Sequence, residues 1–121
     1  MLEVGQFYTR EQIHDLLGGR VQDYLPHKKG QVVCGCFRKD TNPNAPDIIL
    51  PGDGPDIQKW AKVFREQRYA IPIFIKRDSN AWEYVGDYEV ERWTDDSSEI
   101  AKYAKRSGRT DVTSVLFLKS H

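Results

Sequence analysis

With 18 basic and 18 acidic side chains among 121 residues, the chain carries no net charge, so its totals give no bulk attraction toward polyanions. Apolar residues at 39% and charged residues at 30% describe one globular domain with a modest core. No apolar run approaches the ~20 residues needed to cross a bilayer, and the opening MLEVGQFYTR lacks a basic segment followed by an apolar one, which argues against a secretory signal and sets the expected location as cytoplasm or nucleus.

Thr9 to Gln12 (TREQ) is a capping box, in which each end satisfies the other's free amide. Ile13, Leu16 and Leu17 then form an inward stripe, and Gly18-Gly19 stops the chain, so a short helix is expected over Arg10 to Leu17. Gln22 to Gly30 (QDYLPHKKG) reads as a loop, because Pro26 cannot donate to a ladder. Gln31 to Phe37 (QVVCGCF) is a strand of β-formers with Cys34 and Cys36 on one side. Only His14 and His27 could join them around zinc, and the spacing fits no common finger, so both are expected to be small buried thiols.

Thr41 to Pro46 is turn chemistry and Asp47 to Leu50 a brief strand. Pro55 suits a first helical turn, and Ile57, Trp60, Ala61 and Phe64 repeat at helical spacing through Asp56 to Gln67. Ala70 to Lys76 is a strand whose Pro72 marks an edge or bulge. After the RDSNA turn, a strand from Trp82 to Trp93 is expected to place Trp82, Tyr84 and Tyr88 on one face by alternation. Ser97 caps a third helix reaching about Arg106 and closed by Gly108, and Val112 to Leu118 is a last, central strand. The expected fold is α+β: a curved mixed sheet or open barrel of five to six strands with about three short helices, in one domain over residues 1–121.

Phosphate-loop, nucleophile-elbow and zinc-protease motifs are all missing from the sequence. Gly52-Asp53-Gly54 lacks the remaining glycines of a dinucleotide fingerprint and reads as a helix entry, where Asp53 and Asp56 suit the dipole. No catalytic residue, metal ligand or cofactor is assigned, and the chain is expected to be a binder rather than an enzyme. A base reader needs a flat slot, ring walls and a few polar groups for the base edge. Asp23, Tyr24, His27, Trp82 and Tyr84 are the candidates for that role: Tyr24, Trp82 and Tyr84 to stack, Asp23 to accept from an exocyclic amine. Lys28, Lys29, Arg38, Lys76 and Arg77 are candidate phosphate ligands. Asn42 and Asn44 could read a base edge, although asparagines flanking a proline also form turns. Two readings compete with DNA recognition: an RNA-binding domain of the same architecture, and a protein-interaction domain whose aromatics all lie in the core.

The order of motifs resembles the SRA-like domains of modification-dependent HNH restriction endonucleases, in the PUA-like group that also holds EVE, YTH and ASCH domains. The matching pieces are Tyr8-Thr9-Arg10 with Ile13-His14 and Leu17-Gly18-Gly19; Gln22 with Pro26; Val32 to Phe37; Ile49 to Gly54; Ala61; Ile71 to Ile75; and Trp82-Glu83-Tyr84-Val85-Gly86-Asp87-Tyr88. The resemblance implies a curved sheet that binds DNA and holds a flipped, modified base such as a 5-substituted cytosine. It places the loop from Gln22 to His27 near the DNA, with the aromatic strand lining or supporting the pocket. Family members carry a Y-T-G-E-G-Q type segment where this chain has Leu50 to Pro55, so that tyrosine hydroxyl is missing. No HNH motif is present in the sequence, so a nuclease or other effector would be a fusion or associated partner.

Overall fold

The computed structural model describes residues 1–121. In chain order it forms β1 (Phe7–Tyr8), α1 (Arg10–Leu17), β2 (His27–Lys28), β3 (Gln31–Val32), β4 (Gly35–Phe37), β5 (Ile48–Ile49), α2 (Pro55–Gln67), β6 (Ile71–Asp78), β7 (Ala81–Thr94), α3 (Ser97–Ser107) and β8 (Val115–Ser120). The main sheet has six strands, ordered β4-β6-β7-β8-β5, with β1 beside β7. Only β4 and β6 are parallel. The expected mixed, unclosed α+β architecture is what the chain adopts. No helix is long and apolar enough to cross a membrane.

Both faces of the sheet are buried, and β6 shows why. Ile71, Ile73 and Ile75 join a core with Ala61 and Phe64 of α2, whereas Phe74 points the other way into a second core with Ile13 of α1, Cys34, Cys36, Trp82 and Tyr84. Period-2 alternation in a strand buried on both sides gives the near-continuous apolar run seen in its sequence. Pro72 is tolerated because β4 begins its pairing one residue later, at Gly35 beside Ile73, so no neighbour asks Pro72 for a donor.

The predicted strand over 31–37 is split. Val33 N–H donates to the Pro26 carbonyl and Cys36 N–H to that of Tyr24, each at 2.8 Å, so the chain changes partners midway. Its first half pairs with β2 in a hairpin whose Lys29-Gly30 turn has two positive φ angles, and its second half joins β6. The segment read as a loop therefore carries β2. The third helix is capped by Asp96, whose carboxylate accepts from Glu99 N–H at 3.1 Å, one residue earlier than expected.

Alternation through β7 also breaks. Phe74 lies opposite Tyr84 but Ile73 opposite Gly86, leaving Val85 as an extra residue. Gly86 takes φ +124 at this bulge. Trp82 and Tyr84 consequently face the α1 side while Tyr88 packs on the α2 side, which corrects the single aromatic row expected from spacing.

Candidate functional site

Tyr24 stands in the wall of two adjoining hollows. Its carbonyl is tied to Cys36 N–H, its ring packs 6.2 Å from that of Phe37, and its hydroxyl donates to the Ile57 carbonyl at 3.2 Å. Burial pushes the phenol well above its ordinary pKa, so it stays neutral and serves as a donor and a flat wall. The smaller hollow, about 240 Å³, is lined by Arg20, Asp23, His27, Lys59 and Trp60 with Tyr24 and Ile57 among its walls. The larger, about 300 Å³, is lined by Gln22, Asn42, Leu50, Arg109 and Asp111 with the same Tyr24 and Ile57. Both are at or below the small end of ligand pockets, which begins near ~300 Å³, so each suits one ring system.

Three of the five candidate base-facing residues, Asp23, Tyr24 and His27, are brought together here. His27 Nδ1 lies 3.9 Å from Asp23 Oδ2, and that oxygen is buried with no hydrogen-bond partner. The His27 ring stacks on Trp60 with centroids 3.6 Å apart and planes at 11°. Trp60 is thus only partly core and forms a wall of the hollow.

Trp82 and Tyr84 lie elsewhere. At 7% and 8% exposure they belong to the second core, which corrects their assignment as open stacking faces. Trp82 is covered by Arg10, whose guanidinium carbon sits 5.1 Å from the indole centroid. The Tyr84 hydroxyl is spent on Asp87 Oδ1 at 2.6 Å, and burial followed by that bond raises its pKa to about 12. Asn42 is also used internally, its Oδ1 accepting from Leu50 N–H at 2.7 Å.

The candidate phosphate ligands form two groups. Parallel pairing of β4 and β6 brings Arg38 and Lys39 beside Lys76 and Arg77 in a shallow basin that also holds Asp40 and Asp78. Arg38 is paired with Asp40 at 2.9 Å and Arg77 with Glu83 at 2.8 Å, so Lys76 is the least committed charge. Lys28 and Lys29 project from the exposed β2–β3 hairpin.

Two arginines that organise the site were missed from sequence. Arg10 is buried, and its Nη2 donates to the carbonyls of Arg20 at 3.0 Å and Asp23 at 2.9 Å, fixing the loop that presents Tyr24. Arg109 donates from Nη1 to the carbonyls of Thr41 at 3.1 Å and Leu50 at 2.7 Å, and its fork grips Asp111 at 2.9 and 3.1 Å. That grip holds the Asp111 carboxyl below its usual range. Gly52 leaves the room: a Cβ there would come within 2.6 Å of Asp111 Oδ2. The Arg-x-Asp spacing at 109–111 was a legible hint of this clamp; nothing local marks Arg10.

A family model described as a domain of unknown function, DUF6697, matches residues 7–109. No curated protein matches the sequence significantly. Among solved structures, the chain is similar to the crystal structure of the SUVH5 SRA domain in complex with hemimethylated CG DNA, at TM-score 0.63 and 15% identity over 99% of this chain and 89% of that one. The fold is therefore SRA-like.

Proposed function

We propose that this chain, which belongs to the DUF6697 family, binds DNA and reads a modified base by seating it against Tyr24, without performing chemistry on it. The observation that carries the reading is the half-buried tyrosine wall between two base-sized hollows, on a fold shared with a domain crystallised on hemimethylated DNA. The larger hollow is the better seat. It combines apolar walls from Leu50 and Ile57 with an amide at Gln22 and a carboxylate at Asp111, ionised at neutral pH and so an acceptor for an exocyclic amine. A second seat, in the smaller hollow, is favoured by the unpartnered Asp23 oxygen. Such a base has to leave the duplex stack, so the mode is extrusion. The finer resemblance to SRA-like domains of HNH restriction enzymes extends the reading to a module that directs a nuclease or other effector.

Anisotropy titrations with matched hemimethylated, unmodified and RNA oligonucleotides test this. Tyr24→Ala should cost about 1–3 kcal/mol of binding to modified DNA, the worth of one stacked base, and erase preference for the modification. Loss of preference with Asp111→Asn but not Asp23→Asn identifies the larger hollow, and the reverse identifies the smaller. A parent chain that binds all oligonucleotides alike, or a Tyr24→Ala variant that keeps the preference, refutes base reading. Stronger binding to RNA than to DNA replaces it with the RNA alternative.

A further inference from the structure

A third hollow, about 310 Å³, runs along α2 and is lined by Lys59, Lys62 and Arg65, with Trp93, Thr113 and Ser114 opposite. Asp95 is the one acid in its wall, and it makes no ion pair with any of the three cations. Unlike Arg38, Arg77 and Arg109, these cations make no salt bridge or side-chain hydrogen bond; the Arg65 guanidinium carbon instead sits 3.7 Å from the Trp93 ring centroid, a cation–π contact that pairs none of its N–H donors with an acceptor. Lys59 is shared with the Asp23–Trp60 hollow, and that hollow shares Tyr24 and Ile57 with the Gln22–Asp111 hollow. The three hollows are therefore neighbours, separated by these side chains as common walls.

We infer that this α2 groove takes the sugar-phosphate backbone of the strand whose base is held at Tyr24, a footprint on the helix beyond the base site. The inference rests on the nucleic-acid reading above. Cations three residues apart on a helix are spaced by ~4.5 Å along its axis, of the same order as the ~3.4 Å axial spacing of phosphates on one strand. Unpaired cations aligned in a concave groove match a linear polyanion in charge. An acidic peptide would meet the same charges but has no reason to continue into base-sized hollows.

The test is the salt dependence of binding by the parent chain, by Lys62→Ala/Arg65→Ala and by Tyr24→Ala, on modified and unmodified duplexes, with folding checked by circular dichroism. The double variant should bind both duplexes more weakly by the same factor. Its slope of log affinity against log salt should be shallower by roughly 1.8, about 0.9 for each lost phosphate contact. Tyr24→Ala should leave that slope unchanged while losing preference. A double variant with the parent's slope overturns the groove and leaves base reading standing. A parent chain without preference, whose double variant still loses slope, overturns base reading and keeps the groove. Poly-glutamate competing as well as DNA at the groove, or a parent that binds no nucleic acid, overturns this inference.

Discussion

Arg109 and Asp111 show how a few charged groups set the larger hollow's shape and its chemistry together. The carboxylate is gripped by the guanidinium fork, and the same guanidinium ties down the Thr41 and Leu50 carbonyls. Because the native pKa of Asp111 is depressed by that hydrogen bond, the folded state binds fewer protons than the unfolded chain in mild acid. The clamp's stabilisation is therefore fully present above the unfolded value of about 3.9 and is lost as pH falls through the lower native value. Thermal melts should show Asp111→Asn less stable than the parent at neutral pH and equal to it in strong acid. The gap should be under about 1 kcal/mol, since the Asp111 side chain is 45% exposed and solvent screens the pair. A gap unchanged between pH 6 and strong acid, roughly below pH 3, would show that the carboxylate's charge is not what the clamp uses.

At the level of elements, β7 carries the decisive irregularity. Gly86 adopts φ +124, yet a Cβ there would meet only Tyr88 Cε1 at 3.6 Å, an ordinary contact. The need for glycine is thus conformational, not steric. Gly86→Ala should destabilise the protein by about 1–3 kcal/mol, read as a lower denaturant midpoint, because a side chain is strained in that backbone region. Gly19 differs: at φ +80 its Cβ would also come within 2.5 Å of Pro26 Cβ, so both effects act there. The bulge explains where the sequence was legible. Helices 10–17 and 55–67 were readable because a capping box, a leading proline and apolar spacing are local signals. The face of Tyr88 was not, since one extra residue in a ladder inverts everything beyond it and only the partner strand shows the register. Likewise the break at Val33 depends on carbonyls of Tyr24 and Pro26 that no local pattern announces.

Across the whole molecule, the sheet separates two cores, and the site belongs to one of them. Tyr24 and Trp60 pack on the α2-side core; Trp82 and Tyr84 sit in the α1-side core. Alternation correctly put Trp82 and Tyr84 on a shared face, but an aromatic strand flanked by basic residues reads the same whether that face is open or covered. What covers it is α1 and Arg10, whose guanidinium reaches across to the Asp23 loop. Net charge was silent for a related reason: several cations are paired in place, while those of the α2 groove are unpaired, and a total cannot separate the two. The separation of cores makes a prediction opposite to that for Tyr24. Trp82→Ala should remove about 3–5 kcal/mol of stability, a large share of the roughly 5–15 kcal/mol available to a domain, by leaving a cavity under α1 and exposing the packed face of Arg10. Trp82→Phe should cost less because the ring is partly retained. Urea titrations give the stability, and binding measured well below the melting temperature should show the folded fraction of Trp82→Phe discriminating modified from unmodified DNA to the same degree as the parent. A Trp82→Phe chain that is as stable as the parent yet discriminates less than the parent would move the proposed base-reading surface to the α1 side of the sheet.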